Sequence, residues 1–218
     1  MTSHDVVARL RRILKTKKIG HAGTLDPLAT GVLPMLINKG TKLSQKLMEH
    51  DKTYIATIQF GIKTDTGDIT GKAINNVGAA VHGDPIECLN TFLGEIQQIP
   101  PMYSAIKING KKLYEYAREG ITIEREPRKI TIYKIELINF NEEKQELTIK
   151  VECSKGTYIR VLAEDIAEKL GTVGTIKELE RTVVGNFKIE DAIKLDELEK
   201  MSMEDIEKHV IKKESTTI

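Results

Sequence analysis

Two long segments of the chain alternate apolar and polar side chains, and this feature restricts the fold more than any other. They read RKITIYKIELINF, over 128–140, and QELTIKVECS, over 145–154, with only NEEK between them. Successive side chains of a β-strand point to opposite faces, so each segment predicts a strand. KTYIATIQFGI, over 52–62, shows the same alternation. Helical segments interrupt the strands without a regular βαβ order, which indicates an α+β fold with a mixed, mainly antiparallel β-sheet and flanking helices.

Helix and turn signals give the expected positions of the other elements. Thr2 or Ser3 caps a predicted helix over TSHDVVARLRRILK, and Gly171 ends another over YIRVLAEDIAEKLG. The segment IECLNTFLGEI is also typical of a helix, with its glycine near the end. Asn109 and Gly110 predict a hairpin with a type I′ turn.

The composition indicates a globular protein of the cytoplasm. Charged residues make up 30% of the 218 residues. No apolar run reaches the roughly 20 residues of a membrane span, and the N-terminus lacks the apolar core of a signal peptide. Cys88 and Cys153 lack metal-binding or redox spacing and are predicted to be reduced thiols. We expect one catalytic domain over 1–190 and an acidic, helical C-terminal segment over 191–218.

The net charge of +1 conceals an uneven distribution of charges. Residues 9–18 contain six basic side chains, whereas 190–207 contain eight acidic ones, and a second basic group lies at 125–134. Such asymmetry is compatible with a surface that binds a polyanion. It is equally compatible with solvated faces of helices and strands, so the charges alone leave both interpretations open.

The segment GHAGTLDPLATGVLP, over 20–34, holds one carboxylate, Asp26, among three glycines and two prolines. Pro27 pushes the preceding residue into extended backbone, and the glycines permit tight turns, so we expect a stiff loop. A carboxylate held in this way suits a nucleophile or a general base, although an aspartate that caps a turn would have the same surroundings. The segment is not a P-loop, and the histidines of the chain form no metal-binding pair.

Five motifs occur in one order between Thr2 and Ala192. They are GHAGTLDPLATGVLP, DKTYIATIQFG, TDTGDITG, IPPMYSAIKINGKKLYEYAREG and CSKGTYIRVLAEDIAEKLG. Together they resemble the TruB-type tRNA pseudouridine synthases of bacteria. The resemblance implies the pseudouridine synthase fold, with helices and loops around a catalytic cleft. It also implies that the chain isomerises the uridine at position 55 in the T loop of tRNA to pseudouridine, without cofactor or metal.

The same resemblance implies roles for individual residues. Asp26 falls on the catalytic aspartate of the family, and Arg160 falls on the active-site arginine expected to pair with it. Tyr54 matches the tyrosine that stacks on the target base. The residues expected to bind the substrate are His21, which contacts the flipped-out RNA, and Tyr158 and Leu179, which line the base pocket. Whether Asp26 attacks C1′ of the sugar or removes the C2′ proton stays open.

The sequence departs from the family pattern at its two ends, and it also fits two other functions. Members of the family usually begin with a strand and a Lys-Pro-x-Gly segment before the position of Thr2 and Ser3, and carry a C-terminal RNA-binding domain. We expect this chain to lack both and to act as a monomer on the T-arm stem-loop of tRNA. The other functions are an RNA-binding module without turnover and a metal-dependent hydrolase that uses Asp26, Asp65 and Asp68.

Overall fold

The computed structural model describes residues 1–76 and 81–211, which belong to two compact units. Unit 1 combines Met1–His50 with Arg181–Ile218, and unit 2 is the continuous segment Asp51–Glu180. The helices are α1 (Ser3–Ile13), α2 (Ser44–Met48), α3 (Pro85–Asn90), α4 (Leu113–Arg118), α5 (Ile159–Lys169), α6 (Leu195–Leu198) and α7 (Met203–Lys208), and 3₁₀ helices cover Asn38–Leu43 and Ile189–Asp191. The strands are β1 (Ile19–His21), β2 (Thr30–Gly31), β3 (Met35–Ile37), β4 (Lys52–Phe60), β5 (Ile62–Thr64), β6 (Ala73–Asn76), β7 (Gly94–Gln98), β8 (Lys107–Ile108), β9 (Lys111–Lys112), β10 (Arg128–Asn141), β11 (Glu146–Cys153), β12 (Gly174–Val184) and β13 (Phe187–Lys188).

Unit 2 is built on the sheet that the alternating segments predict. Its strands neighbour one another in the order β12, β4, β11, β10, β7, and β11 pairs antiparallel with both β4 and β10. Leu147 of β11, for example, lies opposite Ile58 on one side and Phe140 on the other. The buried side chains of these strands include Ala56, Ile58, Phe60, Leu147, Ile149 and Val151. The predicted α+β fold with a mainly antiparallel sheet is confirmed.

One predicted helix is wrong in its second half. Asp84 caps α3 by accepting a hydrogen bond from the Ile86 amide, but the helix ends at Asn90. Gly94 adopts a φ of +91° and begins β7, which pairs antiparallel with β10. The main-chain hydrogen bonds offered by β10 outweigh the helical preference of this segment, and no local pattern reveals that partner.

Other local predictions are confirmed. Asn109 and Gly110 have φ angles of +52° and +80°, as a type I′ turn requires, and they join β8 to β9. Gly171, with a φ of +76°, follows the end of α5. The thiols of Cys88 and Cys153 are free and buried, and burial raises the pKa of Cys153 to about 12. Within the described ranges, no helix has the length and apolar character needed to cross a membrane.

Unit 1 brings the first and last parts of the chain together. Thr2 caps α1, as predicted, through reciprocal hydrogen bonds with Asp5. Val7 and Leu10 of α1 form a buried cluster with Ile19 of β1. The side chains packed around this cluster include Leu195 and Leu198 of α6. Residues after 180 therefore complete a core that the first 50 residues begin.

Candidate active site

Asp26 lies in unit 1, in the loop between β1 and β2, where it is half-buried. The residue before it is held by Ser3, whose hydroxyl accepts a hydrogen bond from the Leu25 amide at 3.0 Å and donates one to the Leu25 carbonyl at 3.3 Å. After it, the Ala29 amide donates to the Asp26 carbonyl at 2.9 Å. Contacts to the main chain thus hold the loop on both sides of the carboxylate.

A buried arginine that no sequence motif indicated holds the same loop. Arg181 of β12 is 2% exposed. Its guanidinium donates to the carbonyl oxygens of Val32, Thr24 and Gly23, at 2.9, 3.2 and 3.3 Å. The segment around Asp26 is therefore attached both to α1 and to β12.

His21 lies at the end of β1, opposite Met35 of β3. The Ser44 hydroxyl donates to its carbonyl oxygen at 3.2 Å, and its ring meets the His4 ring edge-on, with centroids 5.8 Å apart. Burial, followed by the charges of His4 and Arg181, lowers the pKa of His21 below its ordinary value. Its Nδ1 is buried and finds no hydrogen-bond partner in the described part of the chain. The lowered pKa and the buried Nδ1 favour the neutral imidazole.

Arg160 lies in unit 2, in the first turn of α5, and is buried. Its guanidinium donates to the carbonyl oxygens of Thr66, at 2.6 Å, and Tyr103, at 2.9 Å. Gly67 has a φ of +75°, and a Cβ atom there would lie 3.2 Å from the Cβ of Arg160. Glycine thus lets the TDTGDITG turn approach the arginine closely, and the same turn supplies one of its acceptors.

Tyr158 is half-buried and directly precedes α5. The buried amide of Gln98 spans its main chain: Nε2 donates to the Tyr158 carbonyl at 3.2 Å, and Oε1 accepts from the Tyr158 amide at 2.8 Å. Tyr54 is half-buried in β4 opposite Val151, and Leu179 is buried in β12. The predicted site residues of unit 2 are therefore Tyr54, Tyr158, Arg160 and Leu179, whereas His21 and Asp26 belong to unit 1.

The acidic residues of the TDTGDITG turn stabilise the turn itself. Oδ1 of Asp65 accepts a hydrogen bond from the Lys72 amide at 2.8 Å, and Oδ1 of Asp68 accepts one from the Thr70 amide at 3.0 Å. Over residues 1–76 and 81–211, no group of three or more His, Cys, Asp or Glu side chains is arranged to hold a metal ion. These residues therefore offer no candidate metal site for the metal-dependent hydrolase.

The basic helix α1 is partly neutralised by the acidic segment that follows β13. Nη2 of Arg9 lies 2.8 Å from Oδ1 of Asp196 and 2.6 Å from Oε2 of Glu199. Hydrogen bonding to Glu199, and then to Asp196, raises the pKa of Arg9. The other basic side chains of α1 and of the residues after it are exposed, namely Arg11, Arg12, Lys15, Lys17 and Lys18.

Comparison with known proteins gives matches over most of the chain. Residues 11–159 match the family model of the TruB family pseudouridylate synthase (N terminal domain). Residues 160–213 match the model of the tRNA pseudouridylate synthase B C-terminal domain. The ranges of the two models adjoin and together exclude only short terminal segments.

Curated proteins and solved structures are also similar to this chain over most of its length. The tRNA pseudouridine synthase B of Clostridium kluyveri is 48% identical over 212 residues, which cover 97% of this chain and 72% of that protein. The protein of the same name from Alkaliphilus oremlandii is 50% identical over 94% of this chain and is covered to 69% of its length. A chain in the crystal structure of a Cbf5–Nop10–Gar1 complex is 32% identical, with a TM-score of 0.69 over 92% of this chain. This chain spans half the length of that one.

Proposed function

This chain belongs to the TruB family of pseudouridylate synthases, and on that premise we propose that it converts uridine to pseudouridine at position 55 in the T loop of tRNA. The observation that carries the proposal is the family match over 11–159, because this range contains Asp26 and Tyr54 within their motifs. Relatives named tRNA pseudouridine synthase B support tRNA as the substrate. The predicted pseudouridine synthase fold is confirmed by the likeness to the Cbf5 complex.

The reaction rearranges the nucleotide without gain or loss of atoms. The N1–C1′ bond breaks, the uracil rotates, and a C5–C1′ bond forms, after which C5 loses a proton and N1 gains one. Cleavage develops positive charge on the sugar, which a carboxylate stabilises electrostatically or by adding to C1′; removal of the C2′ proton is the other use of the same group. Asp26, in its doubly attached loop, is the carboxylate that we assign to this step.

The remaining roles are those that the resemblance to the family implies. We assign Arg160 the role of the family's active-site arginine and Tyr54 that of the tyrosine that stacks on the target base. We assign His21, whose lowered pKa favours the neutral imidazole, to contact the flipped-out RNA, and Tyr158 and Leu179 to line the base pocket. Extrusion of the uridine costs on the order of a few kcal/mol of lost stacking, which interactions with aromatic rings partly offset.

We further propose that the chain works as a monomer in the cytoplasm, on the T-arm stem-loop of tRNA, without an obligate protein partner. The identity to tRNA pseudouridine synthase B over nearly the whole chain supports this choice of RNA. Nop10 and Gar1 are named with the structural relative and belong to that complex. The division into a catalytic domain over 1–190 and a C-terminal segment over 191–218 stays a prediction.

Turnover on a synthetic T-arm stem-loop tests the proposed function directly. We expect pseudouridine, detected by carbodiimide labelling, at the same rate with and without EDTA. A stem-loop with cytidine at the target position is the control and should give no product. Binding of the stem-loop without product would favour the RNA-binding module, and loss of product in EDTA would favour a metal-dependent reaction.

Exposed basic residues of α1 and the turn after it are expected to bind phosphates of the RNA. Replacing Arg11, Arg12 and Lys15 by Ala should flatten the dependence of log K on log[salt] by about 0.7–0.9 for each phosphate that the variant no longer neutralises. The matched control replaces Lys129 and Lys134 by Ala, because each ammonium already lies 2.8 Å from a glutamate oxygen. An unchanged slope in the triple variant would exclude α1 from the RNA-binding surface.

A further inference from the structure

Arg181 is a buried cation to which the proposed chemistry assigns no role. It is 2% exposed and belongs to the largest fully buried side chains of the described residues. Burial removes the guanidinium from water, which costs free energy unless hydrogen bonds within the protein replace those to water. The presence of an arginine there therefore calls for a reason other than packing.

The guanidinium binds the loop of Asp26 at three points. Nε donates to the Val32 carbonyl at 2.9 Å, Nη1 to the Thr24 carbonyl at 3.2 Å and Nη2 to the Gly23 carbonyl at 3.3 Å. Two of these carbonyls precede Asp26 in the chain, and the third follows it. Because the guanidinium is planar and rigid, it ties the two arms of the loop together at a fixed separation.

The main chain of Arg181 adds a contact to the second arm of the loop. Its carbonyl oxygen accepts a hydrogen bond from the Val32 amide at 2.8 Å. Gly31 has a φ of +105°, and a Cβ atom there would lie only 2.2 Å from that oxygen. A glycine of the GHAGTLDPLATGVLP motif is thus required for the loop to reach β12.

We propose that Arg181 is a positioning residue, which sets the place of the Asp26 carboxylate by fixing both arms of its loop. The inference rests on the proposed function, because it takes Asp26 as the group that acts on the sugar. Ser3 fixes the one residue between Thr24 and Asp26, so the arginine and the serine together hold the approach to the carboxylate. Positional accuracy matters here because a misplacement of about 1 Å is enough to lower a rate by about 10²-fold.

Arg181→Met tests positioning. Methionine fills a similar volume without a charge but leaves the carbonyl oxygens of Val32, Thr24 and Gly23 without their donor, so the melting temperature is expected to fall. The value of kcat on the T-arm stem-loop should fall about 30- to 100-fold, because the arms of the loop are no longer joined. We expect KM and the Kd for the stem-loop to change by less than about threefold, since the RNA-binding side chains are untouched.

Two further variants complete the test. Leu147→Ala removes a fully buried side chain of β11, a strand that holds none of the predicted site residues, so it should lower the melting temperature and leave kcat unchanged. Arg181→Lys keeps the charge, but one ammonium group is expected not to join both arms, so kcat should fall here as well; this variant decides the matter if Arg181→Met does not fold. A folded Arg181→Lys or Arg181→Met protein with the wild-type kcat would overturn the proposal. An inactive wild-type protein would instead overturn the proposed function.

Discussion

Replacing Asp26 by Asn is expected to lower the isomerisation rate at least about 100-fold, a loss of about 3 kcal/mol or more in transition-state stabilisation. The amide has the shape of the carboxylate but is neither a nucleophile toward C1′ nor a base toward C2′. The hydrogen bond from the Leu25 amide to Ser3 and that from the Ala29 amide to the Asp26 carbonyl do not use the replaced atoms, so the Kd for the stem-loop should change only a few-fold. Single-turnover rates and filter binding on the same RNA measure the two effects separately.

The matched control for this change is Asp84→Asn. Asp84 caps α3 through a side-chain oxygen that Asn also offers, and asparagine is an equally good helix cap. This variant should therefore retain the wild-type rate. An Asp26→Asn protein that keeps more than about a hundredth of the rate would show that Asp26 is not the reacting carboxylate.

Arg160→Lys should also cause a large loss, about 10- to 100-fold in turnover with a modest change in affinity. The guanidinium reaches the Thr66 and Tyr103 carbonyls from two different nitrogens, and a single ammonium group does not reproduce that fork. The rate should be measured under saturating stem-loop, so that a change in binding does not enter. Arg128→Lys, at an exposed position of β10, is the control. A rate equal to that of the wild type would remove Arg160 from the active site.

Local patterns predicted the sheet and the motifs, but they did not reveal what holds the site residues in place. The strands were predictable because the two-residue period of side chains lies within each segment. Gln98 instead holds Tyr158 across 60 residues, and Arg160 reaches Thr66 across 94. These bonds end on main-chain atoms, which every residue possesses, so the acceptors have no signature in the sequence.

The acceptors of Arg181 have no signature in the sequence either, but its burial does. It follows Leu179 by two residues in an alternating strand, which places it on the buried face of β12. That spacing predicts a buried arginine, although it does not predict which carbonyls the arginine binds. The strand that begins at Gly94 was predicted as part of a helix for a related reason, because its partner in β10 lies more than 30 residues away.

Because unit 1 is discontinuous in sequence, the ribosome synthesises its two parts at different times. The hydrogen bonds that tie Arg181 to the Asp26 loop join residues 149 to 158 positions apart. At translation rates of about 5–20 residues per second, on the order of 10–30 s pass between the emergence of the loop and that of its arginine. Unit 2, being continuous, is complete before Arg181 is added. The loop of Asp26 is therefore among the last parts of the nascent chain to take its shape, and a chain interrupted before Arg181 contains Asp26 without the arginine that holds its loop.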